Sequence, residues 1–182
     1  THPNEDPIKV IKKMKQTDNF KFDEANVMNE LVYRNLSEDA KRQICAWKYG
    51  GEYELYNLPA YEEMQVRQIG FMNPKSEKNY YGFWDESILV GFVNILEEKE
   101  EVFIGIGVNP DLCNKHYGQR MLLITYEISK KLYPDKPLYL EVRTWNIRAV
   151  KCYQKAGFRI DGQAYELTTG IGTGTFYRMI RE

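Results

Sequence analysis

Apolar residues change their spacing several times along this chain, and each change predicts a new element. Leu31-Val32-Tyr33 reads as a strand. Ser37 then caps a helix whose first turn carries Glu38 and Asp39, the charge that suits that end, and Ala40, Ile44 and Trp47 recur at helical spacing up to Gly50-Gly51. Residues 52–59 (EYELYNLP) are aromatic and turn-like, and a further helix is expected over 62–71, before Pro74. The period then becomes two. Residues 79–84, 88–97 and 101–108 predict three consecutive antiparallel strands, with the EEKEE run as a solvated turn.

After Pro110 the helical period returns: Met121, Ile124, Ile128 and Leu132 line one face as far as Pro134, which cannot continue a helix. Residues 138–142 (LYLEV) form a short buried strand. Residues 146–156 are another helix, stopped at Gly157 where a left-handed residue is wanted. Residues 159–167 and 175–180 make two strands around a glycine-rich loop. Residues 1–27 read as an N-terminal extension, with Asp6 and Pro7 opening a short helix whose stripe is Ile8, Ile11 and Met14. The expectation is one α/β domain over 28–182 with element order β-α-α-β-β-β-α-β-α-β-β.

Composition narrows the function. The 182 residues carry 25 Lys+Arg against 26 Asp+Glu, a net charge of -1, which argues against a broad nucleic-acid surface. The longest apolar stretch, residues 88–96, falls far short of the roughly 20 residues that span a bilayer, and no leader directs secretion. Three widely spaced cysteines (Cys45, Cys113, Cys152) and two histidines (His2, His116) predict reduced thiols in a cytoplasmic protein with no metal site.

Two segments can carry chemistry. In the first, a strand ending Ile106-Gly107-Val108 turns at Asn109-Pro110 into Cys113-Asn114-Lys115-His116-Tyr117-Gly118, leading into a helix near Gln119. Successive free N–H groups at a helix N-terminus make an anion cradle, and Lys115 and Arg120 add charge. The same segment also fits a plain β-α connection closed by Gly118. In the second, Asn146, Ala149 and Tyr153 share one helix face, leaving room for a ligand beside the alanine and placing a phenol able to protonate a leaving group. That pattern also fits an Asn cap followed by a core-facing aromatic. Gly170-Ile171-Gly172-Thr173-Gly174 lies between strands and reads as a hairpin turn.

Taken together, VGFVNI…IGIGVNPDLCNKHYGQRMLLITYEI…LYLEVRTWNIRAVKCYQKAGFRI resembles the acetyl-CoA-binding core of the GCN5-related N-acetyltransferase (GNAT) superfamily. N-x-x-A-x-x-x-Y-x-x-x-G-F lies on Asn146, Ala149, Tyr153, Gly157 and Phe158. The phosphate-loop motif Q/R-x-x-G-x-G/A falls on residues 113–118 and is matched only by Gly118, with Cys113 at its first position and His116 at its first glycine. The resemblance extends over 28–182, most closely over 88–160. WKYGGEYELYNLP also resembles a bacterial single-domain subgroup with W-x-Y…Y-x-x-Y-N.

The resemblance implies a GNAT fold, a mostly antiparallel sheet splayed at its middle and flanked by helices. It implies acetyl transfer from acetyl-CoA to an amine by direct attack. Backbone groups of Ile106 and Val108, across Gly107, would hold the pantetheine arm, and N–H groups from Asn114 to Gln119 the pyrophosphate. Asn146 would lie along the arm's approach, and Tyr153 beside the sulfur as general acid. The general base is unassigned. Glu101 is the nearest carboxylate to the usual position, and Glu54, Tyr56 and Glu141 are further polar candidates. The acceptor is a small-molecule or protein amine met by Trp47, Tyr49, Tyr53, Tyr56 and Tyr61, with no nucleic-acid or membrane partner and room for a homodimer. The competing reading is a non-catalytic acyl-CoA-binding or interaction domain of the same fold. A mononucleotide-binding protein is disfavoured because the chain has no G-x-x-x-x-G-K-[ST] string.

Overall fold

A computed structural model describes residues 30–182; the expected opening helix and the domain start at Met28 lie outside them. The described chain forms β1 (Val32–Asn35), α1 (Glu38–Ala46), a 3-10 turn (Gly51–Tyr56), α2 (Tyr61–Arg67), β2 (Tyr80–Asp85), β3 (Ile88–Glu97), β4 (Val102–Val108) and α3 (Tyr117–Leu132). There follow β5 (Leu138–Arg143), α4 (Ile147–Lys155), β6 (Arg159–Ile160), β7 (Tyr165–Thr169) and β8 (Gly172–Arg181). One sheet holds every strand in the order β1-β2-β3-β4-β5-β8-β6, with β7 also paired to β8. All pairings are antiparallel except β4 with β5.

Each face of the sheet has its own core. On one, α3 and α4 cover Val90, Val93, Ile104, Leu140 and Val142; on the other, Ile44, Cys45, Met64 and Phe71 close over Trp84 and Leu89. A fully buried side chain of this size contributes about 1.5–3 kcal/mol. Ser37 caps α1 by accepting the Ala40 N–H at 3.1 Å. Lys41, buried in the second core, reaches out to Glu38 (2.9 Å) and Glu77 (2.7 Å), tying α1 to the turn before β2. Burial works to lower its pKa, but the two carboxylates outweigh it and hold the ammonium charged.

Several boundaries differ from expectation. α1 ends at Ala46, short of the glycine pair, because Trp47 turns extended to lay its ring against Phe92 and the Tyr49 N–H takes Asn57 Oδ1 at 2.6 Å. α2 stops at Arg67, with Gln68 left-handed and Gly70–Met72 a separate 3-10 turn. The buried stripe of α3 is Met121, Leu122, Thr125, Ile128 and Ser129, while Leu132 is exposed. Thr125 is tolerated there because its hydroxyl donates to the Met121 carbonyl at 2.8 Å. Where one strand was expected over 159–167 there are two, since ten-residue β8 shares one edge between β6 and β7, and Gly162 turns the chain between them at φ 75°. The hairpin turn is only Gly170-Ile171; Gly172 and Gly174 belong to β8.

No described helix is long and apolar enough to cross a membrane.

Candidate active site

β4 pairs with β3 along its whole length but with β5 only at Val102↔Leu138 and Phe103↔Tyr139, so the two parallel strands part from Ile104 onward. Two hydrogen bonds fix which backbone groups face the gap. The Asn109 N–H donates to Val90 (2.8 Å) on β3, and the Val102 N–H donates to Pro137 (2.9 Å) on the β5 side. Hydrogen-bonding direction alternates along a strand, so even-numbered Ile106 and Val108 aim their main-chain groups into the opening and Gly107 aims its own at β3. The Val108 carbonyl is already taken by the Tyr49 hydroxyl at 2.6 Å, which leaves the Val108 N–H and both groups of Ile106.

The gap widens into a cleft of about 690 Å³ that runs on to the start of α3. Asn114 (φ 64°) and His116 (φ 65°) both stand in the left-handed region, where Asn and His are the non-glycine residues that fit most readily. Asn114, Lys115 and His116 are exposed, the first and last at the edge of the cleft; Cys113 is half-buried and bonds the Asn109 carbonyl weakly at 3.7 Å. The first intrahelical bond of α3 is Arg120 N–H to the His116 carbonyl, so the N–H groups of Tyr117, Gly118 and Gln119 have no helical acceptor. No acidic side chain sits in that first turn to neutralise them. Gly118 matters by contact rather than conformation: a Cβ there would lie 3.0 Å from Cys152 Sγ on α4, tight enough that the sulfur would have to give by a few tenths of an ångström.

The opposite wall is made of side chains. Asn146 caps α4 by accepting the Ala149 N–H (3.2 Å) and donates its amide to the Tyr56 hydroxyl (3.2 Å), which fastens the 3-10 turn to the helix. Trp145 lies against both Tyr53 and Tyr56, and the Arg148 guanidinium sits 4.1 Å over the Tyr53 ring. Nearly two turns into α4, Tyr153 lines the cleft, and its hydroxyl has no hydrogen-bond partner among the described residues. Burial, with Cys152 and Tyr56 adding, pushes this phenol well above the ordinary tyrosine range, so it stays protonated at neutral pH.

The other sequence candidates separate. Glu141 lines the cleft and accepts the Tyr165 hydroxyl, while Glu54 is exposed and outside it. Glu101 is committed to Arg178 at the far end of β4, which answers its candidacy as a base with a structural ion pair. Tyr61 bonds Glu38 in the second core, away from the cleft. Sequence reasoning passed over Arg143, Trp145 and Arg148. The signal for the first was present, since Leu138-Tyr139-Leu140-Glu141-Val142-Arg143 alternates core and opposite face and puts two charges on the latter.

The acetyltransferase (GNAT) family matches residues 41–158. No curated protein shows significant similarity to the chain. Among solved structures, a spermidine N-acetyltransferase from Vibrio cholerae in complex with CoA and spermine superposes with a TM-score of 0.66 at 17% identity, over 83% of this chain and 94% of its own. A GNAT-family acetyltransferase from Bacillus anthracis gives 0.65 at 16%, over 83% and 93%. A third, from Streptococcus pneumoniae, gives 0.61 at 23%, over 84% and 98%. At these identities the likeness establishes the fold. The chain belongs to the acetyltransferase (GNAT) family and is an acetyl-CoA-dependent acyltransferase.

Proposed function

We propose that this protein acetylates a primary amine, which attacks the thioester of acetyl-CoA directly while Tyr153 serves the departing sulfur. The observation that carries the reading is the unpartnered Tyr153 hydroxyl, set in a cleft continuous with the strand gap at Ile106 and Val108. Acetyl-CoA supplies the activated acyl group. Ile106 and the Val108 N–H would hold its pantetheine arm as an added strand, and the N–H groups from Asn114 to Gln119 its pyrophosphate, where the helix dipole favours an anion. Ala149 leaves space for the arm beside α4, and Asn146 acts by fixing Tyr56 and the helix start. Gly107 lets the strand pass flat beneath Phe92.

In the reaction the amine nitrogen forms the C–N bond as the C–S bond breaks, and the acylated nitrogen gives up one proton to water. The sulfur leaves as a thiolate that takes a hydrogen bond from Tyr153, or its proton, which water then restores to the phenol. Even an ordinary phenol is a weaker acid than a thiol by about 1.5 pKa units, about 2 kcal/mol, so full proton transfer is uphill unless the thiolate is desolvated too. The cleft desolvates both partners. Tyr153 therefore works chiefly by donating a hydrogen bond to sulfur as negative charge collects there, and holding amine and thioester together supplies much of the remaining rate.

The test is acetyl transfer by the purified chain to a set of primary amines, alongside calorimetric titration with acetyl-CoA. Turnover with tight acetyl-CoA binding is expected. Tight binding with no transfer to any amine returns the chain to the non-catalytic acyl-CoA-binding reading.

A further inference from the structure

The wall of the cleft formed by β5 and β8 contains a charge that nothing in the fold answers. Arg143 closes β5 on the face opposite the core, beside its cross-strand partner Phe176, and is only 7% exposed. Among the described residues its guanidinium makes no ion pair and no hydrogen bond; it rests on the Phe176 ring at 4.8 Å and lines the cleft. The packing holds the side chain while its guanidinium nitrogens stay accessible from the cleft, where a carboxylate or a phosphate can take the place of water at the fork.

The seat is a built one. A Cβ on Gly174 would fall 2.0 Å from the guanidinium nitrogen Nη1, so the guanidinium lies directly over a glycine and would have to swing aside if a side chain stood there. Glu141 stands two residues earlier on the same face, about 7 Å along the strand. It is held by Tyr165 instead of closing onto Arg143, so a cation site and an anion site lie side by side in one cleft.

We infer that the acceptor is an amine that also carries an oxyanion, gripped at Arg143 while its amino end lies toward Glu141. This rests on the acetyl-transfer reading above and names its substrate class. Such an acceptor supplies the missing counter-charge, and a planar carboxylate matches the two-pronged guanidinium. A polyamine, positive at every ionised site, would be set against Arg143 and Arg148 instead.

Initial rates test this with free amino acids, each beside its amide and its decarboxylated amine, together with aminoethyl phosphate and spermidine. Amines with an oxyanion should exceed their neutral counterparts by about 100-fold in kcat/KM, the effect of one charge-assisted bond. If the phosphate arm leads, the oxyanion is phosphate and the inference holds. Arg143→Met should collapse the preference to within about threefold while acetyl-CoA affinity is unchanged. Gly174→Ala, which crowds the guanidinium without removing it, should reduce the preference in the same direction. The inference is overturned if spermidine or the decarboxylated amines are preferred, if Arg143→Met leaves the ratio intact, or if that variant weakens acetyl-CoA binding instead. Titration of the CoA complex with the same amines separates the two levels. Oxyanion-dependent binding without transfer sinks the transferase reading and keeps only the oxyanion seat at Arg143, the bound amine then being a ligand and not an acceptor. Transfer indifferent to the oxyanion overturns the seat and keeps the transferase reading. Neither binding nor transfer sinks both.

Discussion

The two walls of the cleft are built from different materials. Toward β4 and the start of α3 the polar surface is main chain: strand groups at 106 and 108, and helix N–H groups from Tyr117 to Gln119. Toward β5 and α4 it is side chain: Tyr56, Arg143, Asn146, Tyr153. A main-chain wall needs only the right dihedrals, so it survives heavy substitution. Of the phosphate-loop pattern only Gly118 remains, yet Asn114 and His116 hold the left-handed turns. A side-chain wall has no such redundancy, because each residue type is itself the chemistry. In the proposed reaction the main-chain wall holds the coenzyme, while the side-chain wall combines Asn146 and Tyr153, which fit the family motif, with Tyr56 and Arg143, which lie outside it.

The largest effect should come from the side-chain wall. Tyr153→Phe keeps the ring and removes the hydroxyl, so kcat should fall about 100-fold, near the lower end of proton-transfer contributions. The acetyl-CoA dissociation constant should stay within about twofold, because the groups assigned to the coenzyme are elsewhere. Unchanged kcat in pre-steady-state measurement would remove the phenol from the chemistry.

The main-chain wall should yield to geometry alone. Gly118→Val drives a branched side chain at Cys152 Sγ, already 3.0 Å from a bare Cβ, and should part α3 from α4. Overpacking of this kind costs about 1–3 kcal/mol, read as a lower Tm, and the displaced N–H groups should weaken acetyl-CoA binding about tenfold or more. A variant that melts early but binds normally would mean that the helix start does not hold the coenzyme.

The same contrast explains what could be read in advance. Ser37, the period-two runs of β2 to β4 and the stop at Gly157 are local signals, and each element stands where they put it. Helix α1 stops early because Trp47 finds Phe92, a partner 45 residues away that no local pattern announces. Thr125 and Ser129 replace Leu132 on the buried stripe because the sheet's position, not hydropathy, decides which side of α3 is covered. In the site, spacing put Asn146 and Tyr153 on one helix face, and only the family resemblance suggested roles for them. Arg143 was hidden because its unpaired state exists only once Phe176 and Gly174 are folded against it.

His116 sharpens the comparison from the other side. If its backbone and not its imidazole serves the loop, His116→Gly should leave acetyl-CoA affinity within about threefold. It should also change stability by less than about 1 kcal/mol, relief of the left-handed strain being offset by glycine's greater freedom when unfolded. His116→Val should be worse by both measures, since a β-branched residue resists positive φ. Equal losses in both variants would show that the imidazole itself makes a contact.

The smallest effect is one of pH, and it bears on the side-chain wall alone. Tyr153 acts in its protonated form, and burial raises its pKa, so ionisation is deferred to higher pH than for a free phenol. A phenol at the ordinary value of about 10 would be half ionised at pH 10 and would halve kcat there. With the shift upward, kcat at saturating acceptor should fall by less than about twofold between pH 8 and pH 10. Measuring at saturation removes titration of the free amine acceptor, which affects kcat/KM instead. A descending limb in kcat centred near pH 9, absent in Tyr153→Phe, would place the phenol's pKa below the ordinary value. It would then act as a true proton donor to sulfur, and hydrogen bonding to the thiolate would no longer be its main contribution.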